Sequence, residues 1–189
     1  MSKIFNDCLE LKKWINKKYK DNKIYVTSGG FDPMHVGHLR CIQGTAELAT
    51  DKYVHPSTTP GITVIIVNGD GFLDRKKGYS FMPHKERMEI ISGLRGVDYV
   101  VGWDDGTQTV TGALDILKPD YFTKGGDRTN STNVPEFKLC EKIGCEVIFN
   151  VGGGKIQSSS KLVDEATSAD VNQMFGYAIG FADGEKNGK

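Results

Sequence analysis

Residues 24–38 read Ile24-Tyr25-Val26-Thr27-Ser28-Gly29-Gly30-Phe31-Asp32-Pro33-Met34-His35-Val36-Gly37-His38. The first five form a β-branched, strand-like run that stops at two glycines. The stretch after them enters a helical pattern over Val36–Ala49. A buried strand running through a glycine turn into a helix is how a parallel α/β sheet presents a phosphate site. The rest of the chain repeats the rhythm. Ile62–Val67 is apolar on both faces, as strands covered by helices on each side are. Lys85–Leu94 is helical, Asp98–Val101 and Asp120–Thr123 are strands, Val134–Ile143 is helical and ends at Gly144, Glu146–Val151 is a strand, and Ser159–Ala166 is a helix. The pattern predicts a Rossmann-like, doubly wound parallel sheet of about five strands with helices on both faces.

The 189 residues are enough for one domain with short extensions. With 24 basic and 24 acidic residues the net charge is zero, which disfavours a dedicated nucleic-acid binder but leaves room for a local anion pocket. The longest apolar run, Ile62–Val67, is too short to span a bilayer. The lysine-rich start, Met1 to Lys20, has no apolar stretch of the signal-peptide type. None of Cys8, Cys41, Cys140 and Cys145 forms a C-x-x-C pair, which reads as reduced thiols in a cytoplasmic protein.

Residues 2–20 read as an amphipathic helix, with Ile4, Cys8, Leu11, Ile15 and Tyr19 on one stripe and a lysine-rich solvated face opposite. The domain organisation predicted is this helix over 1–22, a catalytic domain over 23–168 and an extension with a polar tail over 169–189. The polar connection 50–61 is longer than α/β units usually need.

Four constellations carry chemistry. In the first, His35 and His38 are three apart at a helix start, so both can face one cleft. Gly37 lies between them, and a phosphate can approach its backbone closely. The free N–H groups and partial positive charge of the helix start favour an anion. A zinc site would need a third ligand at suitable spacing, and neither His55 nor His84 comes with one. The second is Arg75-Lys76-Lys77-Gly78, read as a loop whose lysines can neutralise phosphates. The third is Lys124-Gly125-Gly126-Asp127-Arg128, where glycines at a strand's carboxyl end suggest close ligand approach. The fourth runs from Gly152 to Lys161. It lacks P-loop spacing, and Ser158, Ser159 and Ser160 suit both a helix cap and a second anion site.

Together these stretches resemble the HxGH nucleotidyltransferase superfamily of cytidylyltransferase-like enzymes. The carrying residues are GGFDPMHVGH at 29–38, KKG at 76–78, PHKER at 83–87, RGVDYVV at 95–101, KGGD at 124–127 and SSSKL at 158–162. Within the superfamily the chain is similar to the adenylyltransferase domain of ADP-heptose synthase and to glycerol-3-phosphate cytidylyltransferase. The arginine that cytidylyltransferases carry before the serine motif is absent here, where Gly153-Gly154-Lys155-Ile156-Gln157 stands.

The resemblance implies transfer of a nucleoside monophosphate from a triphosphate, with ATP favoured, to a phosphorylated small molecule such as a sugar phosphate. A CTP-dependent enzyme of the glycerol-3-phosphate type and a non-catalytic nucleotide-binding module remain the alternatives. It implies His35, His38 and Lys77 as catalytic residues. Gly30, Phe31, Asp32, Gly37, Arg95, Lys124, Gly126, Asp127, Ser158, Ser159 and Ser160 fall to the nucleotide, and Lys76 and Arg87 to the substrate phosphate. Mg²⁺ is expected to arrive with the triphosphate rather than in a protein metal site. A cytoplasmic homodimer is also expected, with no nucleic-acid or membrane partner.

Overall fold

The computed structural model describes residues 3–50, 60–126 and 134–168. Most of the 50–61 connection, Asp127 and the 169–189 extension lie outside the described residues. The sheet is wholly parallel, with six strands: β1 (Lys3–Phe5), β2 (Ile24–Gly29), β3 (Ile62–Asn68), β4 (Tyr99–Trp103), β5 (Tyr121–Thr123) and β6 (Glu146–Ile148). The helices are α1 (Cys8–Lys18), α2 (Val36–Thr50), α3 (Asp70–Lys77), α4 (His84–Ser92), α5 (Thr111–Leu117), α6 (Phe137–Ile143) and α7 (residues 159–168).

The sixth strand comes from the segment expected to open a helix. Asp7 caps α1, its carboxylate accepting the Glu10 N–H at 2.7 Å, so the helix starts only at Cys8. Residues 3–5 pair with Tyr99–Val101 instead. Ile4 matched the helical stripe by spacing alone and is exposed, whereas Cys8, Leu11 and Ile15 are buried. Two short helices, α3 and α5, were also not foreseen. Arg75, Lys76 and Lys77 therefore form the last turn of α3 rather than a loop, and Gly78 closes that helix at φ 84°.

Strand alternation builds two cores. Val64 and Ile66 face one side with Val26, Val101 and the buried faces of α1, α5 and α6. Ile65 and Val67 face the other with Val100, Ile42 of α2, and Met88 and Ile91 of α4. Full burial of side chains such as Leu11, Ile42 or Leu114 stabilises the fold by roughly 1.5–3 kcal/mol each.

Strand order is β1-β4-β3-β2-β5-β6. From β2 the chain steps to β3 and β4 on one side, then returns to place β5 and β6 on the other. The order reverses between β2 and β5, and a doubly wound sheet opens a crevice at the carboxyl ends there. Thr27 Oγ1 donates to the Thr123 carbonyl at 3.0 Å, and Thr45 of α2 shares a 2.7 Å hydrogen bond with Thr123, all buried beneath the crevice.

Candidate active site

A cleft of about 390 Å³ opens at this switch point. One wall is the turn from β2 into α2. Phe31 holds a left-handed backbone at φ 54° and is buried, its ring edge-on to His38 with centroids 5.2 Å apart. The two histidine rings stack, 3.7 Å between centroids and 19° between planes. His35 Nδ1 accepts the Gly37 N–H at 3.1 Å, and His38 Nδ1 accepts the His35 N–H at 3.4 Å. In a neutral imidazole this leaves the proton on Nε2 of each ring.

Both rings are held neutral. Burial, then the neighbouring His35 and Lys77, push His38 down to about 3. Burial and the Lys155 ammonium lower His35 below its ordinary value. The pair thus offers two N–H donors beside the start of α2.

The other walls bring cations and glycines. Lys76, Lys124 and Lys155 all line the cleft. Lys124 lies 3.7 Å from Glu136 and 4.2 Å from the Phe122 ring centroid. Gly126 bridges to Gly154, and a Cβ on Gly126 would stand 2.0 Å from the Gly153 carbonyl oxygen. Ser159 Oγ donates to the Pro33 carbonyl at 2.8 Å, which ties the start of α7 to the histidine turn. Ser158 Oγ accepts the Lys161 N–H at 3.3 Å, a helix cap, and all three serines line the cleft.

A family model for the cytidylyltransferase-like fold matches residues 26–149, which hold the strand, the glycine turn, the histidine pair and the Lys124 glycines. The chain belongs to the cytidylyltransferase-like family of nucleotidyltransferases. It is 29% identical over 154 residues to "Bifunctional protein HldE" of Hahella chejuensis, covering 80% of this chain and 28% of that protein. It is 32% identical over 133 residues to the protein of the same name from Syntrophotalea carbinolica, covering 69% and 24%. The chain thus spans about a quarter of the length of these curated relatives. Its fold resembles the lipopolysaccharide core biosynthesis protein of Thermoplasma volcanium, with TM-score 0.53, 20% identity, and 68% and 95% of the two chains covered. It also resembles the pantoate-beta-alanine ligase of Francisella tularensis, with TM-score 0.51, 14% identity, and 85% and 69% covered.

Of the residues that the cytidylyltransferase-like resemblance put in the site, His35, His38, Gly30, Phe31, Gly37, Lys76, Lys124, Gly126, Ser158, Ser159 and Ser160 line the cleft. Four others lie elsewhere. Lys77 donates to the Asp32 carboxylate at 2.8 Å and to the Asp32 carbonyl at 2.7 Å, so both residues are spent on bracing the turn. Arg87 is only 1% exposed. It donates to the carbonyls of Gly30, Asn68 and Met82 and to the Asp70 carboxylate, knitting the ends of β2 and β3 together. It braces the strand ends that shape the cleft. Arg95 is exposed in the turn before β4, at the amino ends of the strands and opposite the cleft.

Lys155, Asn68, Gln108 and Glu136 also line the cleft. Lys155 stood in the glycine–serine stretch and could have been found from its place ahead of the serines. Asn68 stands in the N-x-D stretch Asn68-Gly69-Asp70 that the sequence shows after the strand, whereas Gln108 and Glu136 become site residues only through tertiary packing. Among the described residues no three His, Cys, Asp or Glu side chains gather as a metal-binding cluster. Also among them, no helix is long and apolar enough to cross a membrane.

Proposed function

We propose that this protein transfers a nucleoside monophosphate from a nucleoside triphosphate, ATP by preference, to a sugar phosphate, with release of pyrophosphate. The observation that carries the reading is the stacked, neutral His35–His38 pair at the start of α2, faced by Lys76, Lys124 and Lys155 across one cleft. Two fixed N–H donors with Lys155 beside them suit a triphosphate that gains charge between its α- and β-phosphates as the bond breaks, and Lys76 and Lys124 extend the positive charge to the acceptor's side of the cleft. The likeness to the adenylyltransferase domain of ADP-heptose synthase supports adenylyl transfer. The relatives named HldE support the same line.

In this reading an acceptor phosphate oxygen attacks the α-phosphorus. A bond forms from that oxygen to phosphorus, the bond from the α-phosphorus to the bridging oxygen breaks, and pyrophosphate leaves with the electron pair. The nucleophile is already ionised near neutral pH, its second pKa being about 6, so no general base is required. His35 and His38 donate from Nε2 to triphosphate oxygens. Lys155 and the start of α7 bind the departing pyrophosphate end, and Gly126 keeps the nucleotide loops close. Lys77 and Asp32 act as positioning residues for the turn that carries the histidines. The cleft's donor set suits phosphate oxygens rather than a caged metal, since Glu136 is the one carboxylate among its described lining residues and the Lys124 ammonium stands 3.7 Å from it. A Mg²⁺ ion bound to the triphosphate would neutralise phosphate charge while keeping phosphate and water ligands.

The deciding experiment is pyrophosphate release with ATP, CTP, GTP and UTP set against heptose-1-phosphate, glycerol-3-phosphate, phosphocholine and phosphoethanolamine, each repeated with His38→Ala. Release with ATP and the sugar phosphate, lost in the variant, supports the proposal. Release with CTP and glycerol-3-phosphate alone refutes its substrate assignment. Nucleotide binding with no release for any pair refutes catalysis. We further propose a cytoplasmic homodimer as the working form.

A further inference from the structure

Two buried acceptor atoms in the cleft accept no hydrogen bond among the described residues. Asn68, 5% exposed, ends β3, and its Oδ1 has no hydrogen-bond partner among the described residues. Glu136, also 5% exposed, turns Oε1 to the Val110 N–H at 3.2 Å. Its Oε2 has no hydrogen-bond partner among the described residues, and the Lys124 ammonium at 3.7 Å is beyond hydrogen-bonding reach. A buried polar atom without a partner is costly, and two of them facing one cleft call for donors that enter with whatever fills it.

Both atoms lie in the half of the cleft away from the histidines. Alternation along β3 puts Asn68 on the face of Val64 and Ile66, which is the face of α5 and α6. Glu136 and Val110 stand at the starts of α6 and α5 on that same face. The histidines start α2, whose core contacts are on the other face. A triphosphate seated on the histidines leaves the Asn68 half for the other reactant. Lys76, on the helix that directly follows β3, lines the cleft as a cation for that reactant's phosphate.

We infer that Asn68 is a specificity-determining residue, its carboxamide oxygen accepting a hydrogen bond from an acceptor hydroxyl while Glu136 Oε2 accepts a second. This rests on the transfer reading above and narrows it to polyhydroxylated phosphates. Two acceptor atoms call for two donors. A choline headgroup has none. An ethanolamine headgroup has N–H donors, but its ammonium brings to Glu136 a positive charge that Lys124, 3.7 Å away, already supplies, and it would be repelled by that lysine. Sites that hydrogen-bond a substrate hydroxyl reject analogues lacking it, because the protein atom is then left bare.

The test compares a sugar phosphate, its series of monodeoxy analogues, and phosphocholine as acceptors for the wild type, Asn68→Ala and Asn68→Asp, with folding checked by thermal melting. For the wild type, kcat/KM should fall about 10- to 100-fold for one deoxy analogue, mainly through KM. Asn68→Ala should lose that discrimination, so that parent and deoxy acceptors become equal. Asn68→Asp, which keeps an acceptor oxygen of the same size, should retain it. Nucleotide affinity by calorimetry should match the wild type in both variants. The inference is overturned if Asn68→Ala keeps the deoxy discrimination, if phosphocholine is used as well as the sugar phosphate, or if nucleotide affinity falls instead, which would assign Asn68 to the ribose. Absence of pyrophosphate release with every acceptor overturns the transfer reading and this inference together, whereas release indifferent to hydroxyls overturns this inference alone.

Discussion

The Asp32 carboxylate binds the Lys77 ammonium at 2.8 Å and uses the same two oxygens to hold the N–H groups of Phe81 and Met82 at 2.8 and 2.6 Å. Three donors, one from the last turn of α3 and two from the loop after it, thus converge on a residue three positions before His35. The pair ties α3 and its following loop to the turn that presents the histidines. In the proposed mechanism a lysine committed in this way acts by fixing geometry.

Breaking the pair should therefore cost stability as well as rate. Asp32→Asn removes the charge that Lys77 was folded against, in a site only 1% exposed. We expect a loss of about 2–4 kcal/mol in urea unfolding. Lys77→Met should be destabilised too, with its remaining activity showing an unchanged KM for the acceptor. A Lys77→Met protein of wild-type stability but greatly raised acceptor KM would show that the lysine leaves Asp32 to bind phosphate.

The histidine pair yields a prediction about rate. Each ring presents one N–H, and His38 is the more buried and the one against which Phe31 packs. His38→Ala should lower kcat about 10³-fold, in the range found when a fixed donor to a developing charge is removed. Circular dichroism should show the fold intact. Turnover near the wild-type value would remove His38 from the mechanism.

The same residue sets a pH dependence. His38 is pushed down to about 3 in the folded protein, against about 6.5 in an unfolded chain. The unfolded state then binds the extra proton first as pH falls. Stability is complete above pH 6.5 and declines from there toward pH 3. His35 and His84 are lowered as well, chiefly by burial, and add to the same slope. Urea unfolding at stepped pH should show this decline, and His38→Asn should flatten it. The acid limb of kcat/KM should follow the acceptor phosphate near pH 6 and move when acceptors of different phosphate pKa are compared.

Much of this arrangement was legible in the chain, for physical reasons that also mark where legibility ends. A buried parallel strand must be apolar on both faces, so Ile62–Val67 declared itself. A histidine pair at a helix start carries its geometry in its spacing. The helices α3 and α5, eight and seven residues long, are too short for a periodic stripe to rise above the loops around them. Ile4 fitted the α1 stripe because a four-residue spacing cannot reveal that Asp7 would cap the helix after it. Nothing in the sequence shows that Lys77 would pair with Asp32, 45 positions away, or Arg87 with Asp70, because such pairings are made by the fold.

Gly126 tests how tightly the two glycine loops must meet. Its added Cβ would stand 2.0 Å from the Gly153 carbonyl oxygen, a backbone atom that cannot rotate aside. Gly126→Ala should force the loops apart, lower stability by about 1–3 kcal/mol and weaken nucleotide binding in calorimetry. Gly154→Ala serves as the control, because a Cβ there meets nothing within 4 Å. Equal nucleotide affinity in the two variants would show that the contact is unimportant to the site.

Lys155 connects the serine loop to the histidine turn through charge. Its ammonium is the second cause, after burial, of the lowered His35 pKa. Removing it takes away a like charge, so the protonated ring becomes less unfavourable. Lys155→Ala should therefore raise the His35 pKa toward its ordinary value, read directly from ring-proton shifts in an NMR titration, while His38, whose neighbours are His35 and Lys77, moves less. The same variant should weaken triphosphate binding about 10-fold and monophosphate binding hardly at all, because the lysine is assigned to the departing pyrophosphate end. An unchanged His35 titration would place the Lys155 ammonium away from the ring in solution, and equal losses for tri- and monophosphate would move its contact to the α-phosphate.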